Sequence, residues 1–173
     1  MSAEYLLVDG YNIIFSWPDL RAISKHNMDS ARTKLQDILC NYQGFKKCHV
    51  ILVFDGYKVK QNPGTIIPYH NIHVVFTKEA ETADQYIEKV TQSIGRQYQV
   101  RVATSDKLEQ VIILGKGATR MSAREFQKEI EETNIIIRKE HLEKTKGTKN
   151  LLFDQVDPEL FAYLERIRLN KKD

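Results

Sequence analysis

Short apolar runs bounded by charged residues recur along the chain, and three of them run out into an aspartate. Leu6, Leu7 and Val8 end in Asp9, with Gly10 next, and "VILVF", Val50 to Phe54, ends in Asp55 and Gly56. Gln99 to Ala103 alternates apolar with polar and leads through "TSD" into Asp106. Runs of this length predict strands, the first over residues 4–9. A carboxylate at the mouth of a hydrophobic strand is costly unless something pairs it, so the placement asks for a chemical reason.

Helical spacing fills the intervals. Ala31, Leu35, Ile38, Leu39 and Tyr42 predict a helix that Asp29 caps and Gly44 ends. A second helix is expected from about Thr82, with Ala83, Tyr86, Ile87, Val90 and Ile94 on one face. "KVKQNPGTIIPYHN" predicts an irregular loop from its Pro, Gly and Asn content, followed by a short strand from Val74 to Phe76. "LEQVIIL" reads equally as helix or strand. Ser122 with Glu125 matches a capping box, and Ala123, Phe126, Ile130 and Ile137 carry that helix forward. Residues 144–150 read as a polar, basic connector, and Asp157-Pro158 as the start of a last helix through Leu160, Phe161, Leu164 and Ile167. Strands alternating with helices predict an α/β fold, a mainly parallel sheet with helices on both faces. Ligands of such sheets bind beyond the carboxyl ends of the strands, where the aspartates fall.

Length and composition narrow the class. A chain of 173 residues suits one domain, and no apolar run approaches the ~18–20 residues of a membrane span. The start, MSAEYLL, has neither a basic leader nor a small-residue cleavage site, which predicts a cytoplasmic protein without a membrane partner. Cys40 and Cys48 lack metal-motif spacing and read as reduced thiols. The net charge of +3 permits a polyanionic partner without demanding one.

The acidic residues carry the candidate chemistry. Besides Asp9, Asp55 and Asp106, Glu81, Asp84 and Glu88 are spaced to share one side of the helix that begins near Thr82. Converging carboxylates repel, and the usual remedy is a divalent cation; oxygen-only donors favour Mg²⁺ or Mn²⁺ over zinc. Such an ion activates water for attack at phosphorus, and on this reading Asp9 is a metal ligand. Plainer readings stand beside it. Asp9-Gly10 and Asp55-Gly56 also suit turns, Asp106 with Glu109 and Thr82 with Gln85 suit capping boxes, and Glu81 and Glu88 suit a solvated face. Asn12 could hold a ligand or phosphate by hydrogen bonds. There is no dinucleotide fingerprint, Walker loop or nucleophile elbow, and His70 and His73 point to opposite faces.

Lys116, Arg120 and Arg124 in "GKGATRMSAREF" lie beside a glycine-containing turn leading into a helix N-terminus, a natural phosphate contact. Lys58 and Lys60 could flank the same crevice, while Arg138, Lys139, Lys144, Lys146 and Lys149 form a second basic zone that Glu140 and Glu143 interrupt. Tyr11, Phe15, Trp17 and Tyr57 are candidate stacking surfaces for unpaired bases, with Phe15 discounted because most aromatics beside apolar runs belong to the core.

"LLVDGYNII", "VFDG", "VVFTKEAETADQYIE", "VATSD" and "GKGATRMSAREF", in this order, resemble the YacP-like branch of the NYN nucleases, relatives of the PIN-domain ribonucleases. Within that branch the similarity is greatest to the ribosome-associated A-site endoribonucleases of Gram-positive bacteria. It covers about Tyr5 to Ile130, and the departures lie from Lys58 to Asn71 and beyond Ile137. The resemblance implies a PIN-like three-layer α/β/α sandwich, one domain over 1–173 with 138–173 as a basic helical extension. It implies a metal-dependent, ribosome-associated endoribonuclease that cuts mRNA inside the ribosomal A site; a monomer is expected. By motif, Asp9, Asp84 and Asp106 match the acidic metal-binding residues, Asn12 the motif asparagine, and Asp55 and Glu81 supporting positions. Water as nucleophile would leave 5′-phosphate and 3′-hydroxyl ends. The alternatives are a catalytically inactive RNA- or ribosome-binding module and, more distantly, a small-molecule phosphohydrolase.

Overall fold

The computed structural model describes residues 3–56, 64–78, 80–107 and 118–155, with side chains as far as residue 145. Contacts divide the chain into two units, Met1–Thr133 and Asn134–Asp173. In chain order the elements are β1 (Glu4–Asp9), α1 (Gly10–Ser16), α2 (Pro18–His26), α3 (Met28–Lys46) and β2 (His49–Phe54). There follow β3 (Thr65–Tyr69), β4 (Ile72–Phe76), α4 (Ala83–Ile94), β5 (Gln99–Ala103), β6 (Thr119–Met121) and α5 (Ala123–Gln155). The strands form one sheet in the order β3-β4-β2-β1-β5-β6. Among the described residues only β3 with β4 is antiparallel; β1 pairs in parallel with both β2 and β5.

The period of two along each strand divides the core. Leu6 and Val8 of β1, with Val50, Leu52 and Phe54 of β2, face α1, α2, α3 and the first turns of α5. Leu7 and Val53 face the opposite way, onto Ala83 and Ile87 of α4. The helices thus cover both faces of the sheet, as the alternation of strand and helix predicts. Trp17 stands between α1 and α2, capping both, with Pro18 at the first helical position of α2. Its indole N–H donates to the Ala123 carbonyl at 2.8 Å, which fixes the start of α5. Gly10 allows α1 to begin against β2, since a Cβ there would lie 2.3 Å from the Phe54 ring. Away from the aspartate ends, the Arg101 guanidinium bridges Glu4 at 2.6 Å, Glu129 at 3.1 Å and the Tyr42 hydroxyl at 2.8 Å. Burial pushes the Tyr42 phenol well above its ordinary range, so it remains a neutral donor, to Glu129 at 3.1 Å.

Several boundaries differ from the sequence reading, each for a local reason. Asn27, not Asp29, caps α3; its side chain accepts from the backbone N–H groups of Asp29 and Ser30. Gly44 lies inside that helix, which ends at Lys47 in the left-handed region, φ 59°. The expected irregular loop contains β3, an edge strand where Pro68 is tolerated because no further strand needs its missing N–H. His70, at φ 50°, turns the chain into β4, and the Asn71 amide ties that turn to α3 through the Cys40 carbonyl at 2.9 Å. α5 continues through the expected connector at 144–150. "LEQVIIL" from Leu108, the last expected helix, and Tyr57, Lys58, Lys60 and Lys116 lie outside the described residues.

In the second unit, α5 exposes Ile135, Ile136 and Leu142 alongside Arg138, Lys139 and Lys144. The side chains of Lys146 and Lys149 lie outside the described set. Among the described residues, no helix is long and apolar enough to cross a membrane.

Replacing Asn27 with alanine is expected to cost about 1 kcal/mol, the usual worth of a cap, seen as a lower urea midpoint at unchanged slope. Asp29→Ala, which loses only an exposed ion pair with Arg32, is expected to cost less. The opposite order would return the cap to Asp29.

Candidate active site

Asp9 is the last residue of the central strand β1 and pairs in register with Val53 of β2, while Val8 pairs with Ala103 of β5. Asp55 follows β2 directly and Asp106 stands three residues beyond the end of β5, so the three aspartates leave the sheet by the same edge. Asp9 is 7% exposed and is the only acidic residue in the buried set among the described residues. The pleat turns it toward the side of Leu7, the side that α4 covers.

Asp55 connects this edge to α4. Its Oδ1 accepts the Ala83 backbone N–H at 2.5 Å, satisfying a first-turn donor of the helix. Thr82 and Gln85 complete a capping box at the same terminus. Asp84, in that first turn, is therefore held near the end of β2, with its side chain exposed.

The loop after β5 is braced from both sides. Asn12 Oδ1, from α1, accepts the Ser105 N–H at 2.6 Å, and the Thr104 hydroxyl accepts the Asp106 N–H at 3.1 Å. On the far side the Thr104 N–H donates to the Met121 carbonyl at 2.9 Å, and Ser105 Oγ accepts the Ala123 N–H at 3.2 Å. Asp106, half-buried, is thereby fixed between α1 and the β6–α5 junction. Ser105 and Thr104 brace this loop, a role the sequence reading passed over. Their signal was the run of hydroxyls directly before Asp106.

Glu81 is separated from the group. It precedes the N-cap Thr82, so it lies off the helix on which it was expected, and its carboxylate faces Lys89 at 3.6 Å. Among the described residues, no three His, Cys, Asp or Glu side chains form a group that could hold a metal ion. The engagement of Asp55 with α4 and of Glu81 with Lys89 accounts for part of this. The acidic side chains carried at this edge, of which Asp9 is buried, offer carboxylate oxygens. That chemistry suits Mg²⁺, which is usually held by one or two carboxylates, with water and substrate phosphate oxygens supplying the rest.

Arg120 lies on β6 and Arg124 in the first turn of α5, both exposed and both beyond the Asp106 loop. Of the aromatic candidates, Tyr11 and Trp17 belong to the core, each 4% exposed, whereas Phe15, expected inside, is 44% exposed. The structure also brings in Thr77, which sequence reasoning missed. It is buried, accepts the Gly56 N–H at 3.0 Å and donates to the Glu81 carbonyl at 2.6 Å, pinning the segment before α4 to the end of β2. Gly56 must be glycine for this approach, since a Cβ there would lie 1.6 Å from the Thr77 carbonyl oxygen. Thr77→Val, which keeps the shape and removes the hydroxyl, is expected to cost about 1–3 kcal/mol and to speed exchange of the Gly56 amide. Unchanged exchange at Gly56 would show that the hydroxyl does not hold this segment.

Comparison with known proteins agrees with this architecture. Residues 6–169 match the model of the YacP-like NYN domain. A Bacillus subtilis (strain 168) relative, described as "Uncharacterized protein YacP", is 44% identical over 131 residues, 74% of this chain and 75% of its own. The crystal structure of Rae1 (YacP) from Bacillus subtilis matches with a TM-score of 0.71 at 36% identity, over 99% of this chain and 97% of that one. A mutant of the same protein matches with a TM-score of 0.72 at 39% identity, over 83% and 84%. On the family match over most of the chain and on these likenesses, the chain belongs to the YacP-like NYN domain family, within the NYN/PIN-like nucleases.

Proposed function

We propose that this protein is a metal-dependent endoribonuclease that cuts mRNA within the ribosomal A site during translation, leaving 5′-phosphate and 3′-hydroxyl ends. The observation that carries the reading is the buried Asp9 at the end of the central strand, flanked by the strand ends that bear Asp55 and Asp106. Asp9, Asp84 and Asp106 would hold Mg²⁺ (or Mn²⁺), with Asp55 in support through its hold on α4; Glu81, paired with Lys89, stands apart from that set. A bound divalent ion would acidify water and offset the charge of the phosphodiester.

The chain's own groups have separable tasks. Asn12 holds the loop that presents Asp106, through the Ser105 N–H. Asp55 fixes the α4 terminus that presents Asp84. Arg120 and Arg124, with Lys116, Lys58 and Lys60, would receive the RNA backbone; such phosphate contacts position a strand without reading its sequence. The ribosome and the message come from the family resemblance, the cytoplasmic placement from the sequence pattern. The net charge of +3 is consistent with a weak grip on free RNA and with RNA presented by a ribosome. A second reading, a non-catalytic RNA- or ribosome-binding module, draws on one observation: the described carboxylates are not gathered into a ready metal-holding group.

In a reporter message translated with purified protein, wild type is expected to make discrete cuts that vanish when translation is blocked. Asp9→Asn is expected to make none. Message left intact by wild type, with the protein still bound to ribosomes, would favour the binding module. Asp84→Asn is expected to abolish cutting and leave the thermal midpoint nearly unchanged, because the side chain is exposed. Cutting at the wild-type rate by that variant would remove Asp84 from the metal set.

A further inference from the structure

Along α1 the fold buries Gly10, Tyr11, Ile13 and Ile14 and leaves Asn12, Phe15 and Ser16 on the outward side. Asn12 and Phe15 are three residues apart, so their Cβ atoms are helix-surface neighbours at about 5–6 Å. Asn12 bonds the Ser105 N–H beside Asp106, which sets the Phe15 ring one helical turn from the candidate active site. Helical side chains lean toward the helix N-terminus, here the end that follows Asp9.

The ring is supported from beneath. Phe15 stacks on Tyr11, with centroids 6.5 Å apart and planes 26° from parallel. Tyr11 itself rests on the Phe54 ring at 4.9 Å, and its hydroxyl accepts from Arg32 at 3.0 Å. An aromatic residue 44% exposed is thus set against a buried ring beside an acidic edge. Beyond the Asp106 loop stand the exposed Arg120 and Arg124. A supported aromatic ring at the edge that carries the aspartates can receive an unpaired base of a single strand by stacking.

We infer that Phe15 is the platform on which an unpaired RNA base next to the cleaved phosphate stacks. The inference rests on the ribonuclease reading above and adds a contact that grips the substrate and takes no part in the bond-breaking step. Stacking uses the face common to every base, so the platform tolerates many sequences.

The test uses the full chain carrying Asp9→Asn, so that bound RNA stays intact, and a single-stranded oligoribonucleotide containing one 2-aminopurine. The fluorophore is expected to be quenched on binding. Phe15→Ala and Phe15→Leu are expected to remove the quench and weaken binding roughly 5- to 150-fold, the range of a lost base–aromatic stack. Phe15→Tyr is expected to restore both. The leucine variant keeps apolar bulk, so it separates stacking from packing should the alanine variant be unstable. Quench and affinity unchanged in Phe15→Leu, or no quench with Phe15 intact, would overturn the platform. So would a Phe15→Ala protein released from ribosomes with its quench retained, which would make the ring a protein-docking contact. The nuclease reading fails separately, in the cleavage assay: a wild type that never cuts, while the quench still follows the ring, supports the platform and removes the nuclease.

Discussion

Parallel pairing of β1 with both β2 and β5 is the constraint from which the site follows. Parallel neighbours cannot be joined by a tight turn, so the chain must return along one face or the other between them. α1, α2 and α3 return along one face and α4 along the other. Every strand of the central trio therefore ends on the same edge, and a residue placed just past each end must meet the others there. Asp9, Asp55 and Asp106 are far apart in sequence and share an edge for this reason alone. An antiparallel trio would have sent alternate ends to opposite edges.

That edge is stiffened mostly by side chains bonding to backbone, and each bond joins two elements. Asp55 ties β2 to α4, Thr77 ties the segment before α4 back to Gly56, and Asn12 ties α1 to the β5 loop. Ser105 and Trp17 both act on Ala123, one accepting from its N–H and the other donating to its carbonyl. The start of α5, and with it Arg124, is thus set relative to the same loop that carries Asp106. Acid and base on this surface are held by one connected network.

How much of this was legible in the sequence depends on how local the signal is. β1, β2, β5 and the body of α4 could be read because their apolar runs or periods lie within a few residues, and the capping box at Thr82 was equally local. α1 and α2 were not assigned. They are short, and helices of that length owe their stability to tertiary packing that no propensity records. β3 was hidden by its Pro and Gly, and it exists because β4 offers an edge to pair with. The strand-end aspartates were visible as a pattern, whereas their engagements were not. The bond from Asn12 to Ser105, like that from Asp55 to Ala83, spans a separation that leaves no local trace. Glu81 was misplaced onto a helix because its spacing to Asp84 and Glu88 fits one, although Thr82 ends that helix first.

Electrostatics explains why the carboxylates share an edge without forming a tight group. Like charges brought close raise one another's energy, and a cluster without compensation would weigh against the fold. The chain relieves this pairwise. Asp55 spends an oxygen on the positive end of α4, where a carboxylate is stabilised by the helix dipole as well as by the hydrogen bond. Glu81 is drawn off to Lys89. What remains at the centre is Asp9, buried on an apolar strand, with Asp84 exposed and Asp106 half-buried on separate braced elements. A fold that keeps one acid fixed and its companions apart limits the repulsion it must bear alone, yet holds their backbones on one edge. On the metal-dependent reading proposed above, phosphate and water would supply the remaining coordination, and that would be the physical reason for keeping a carboxylate at the mouth of this buried strand.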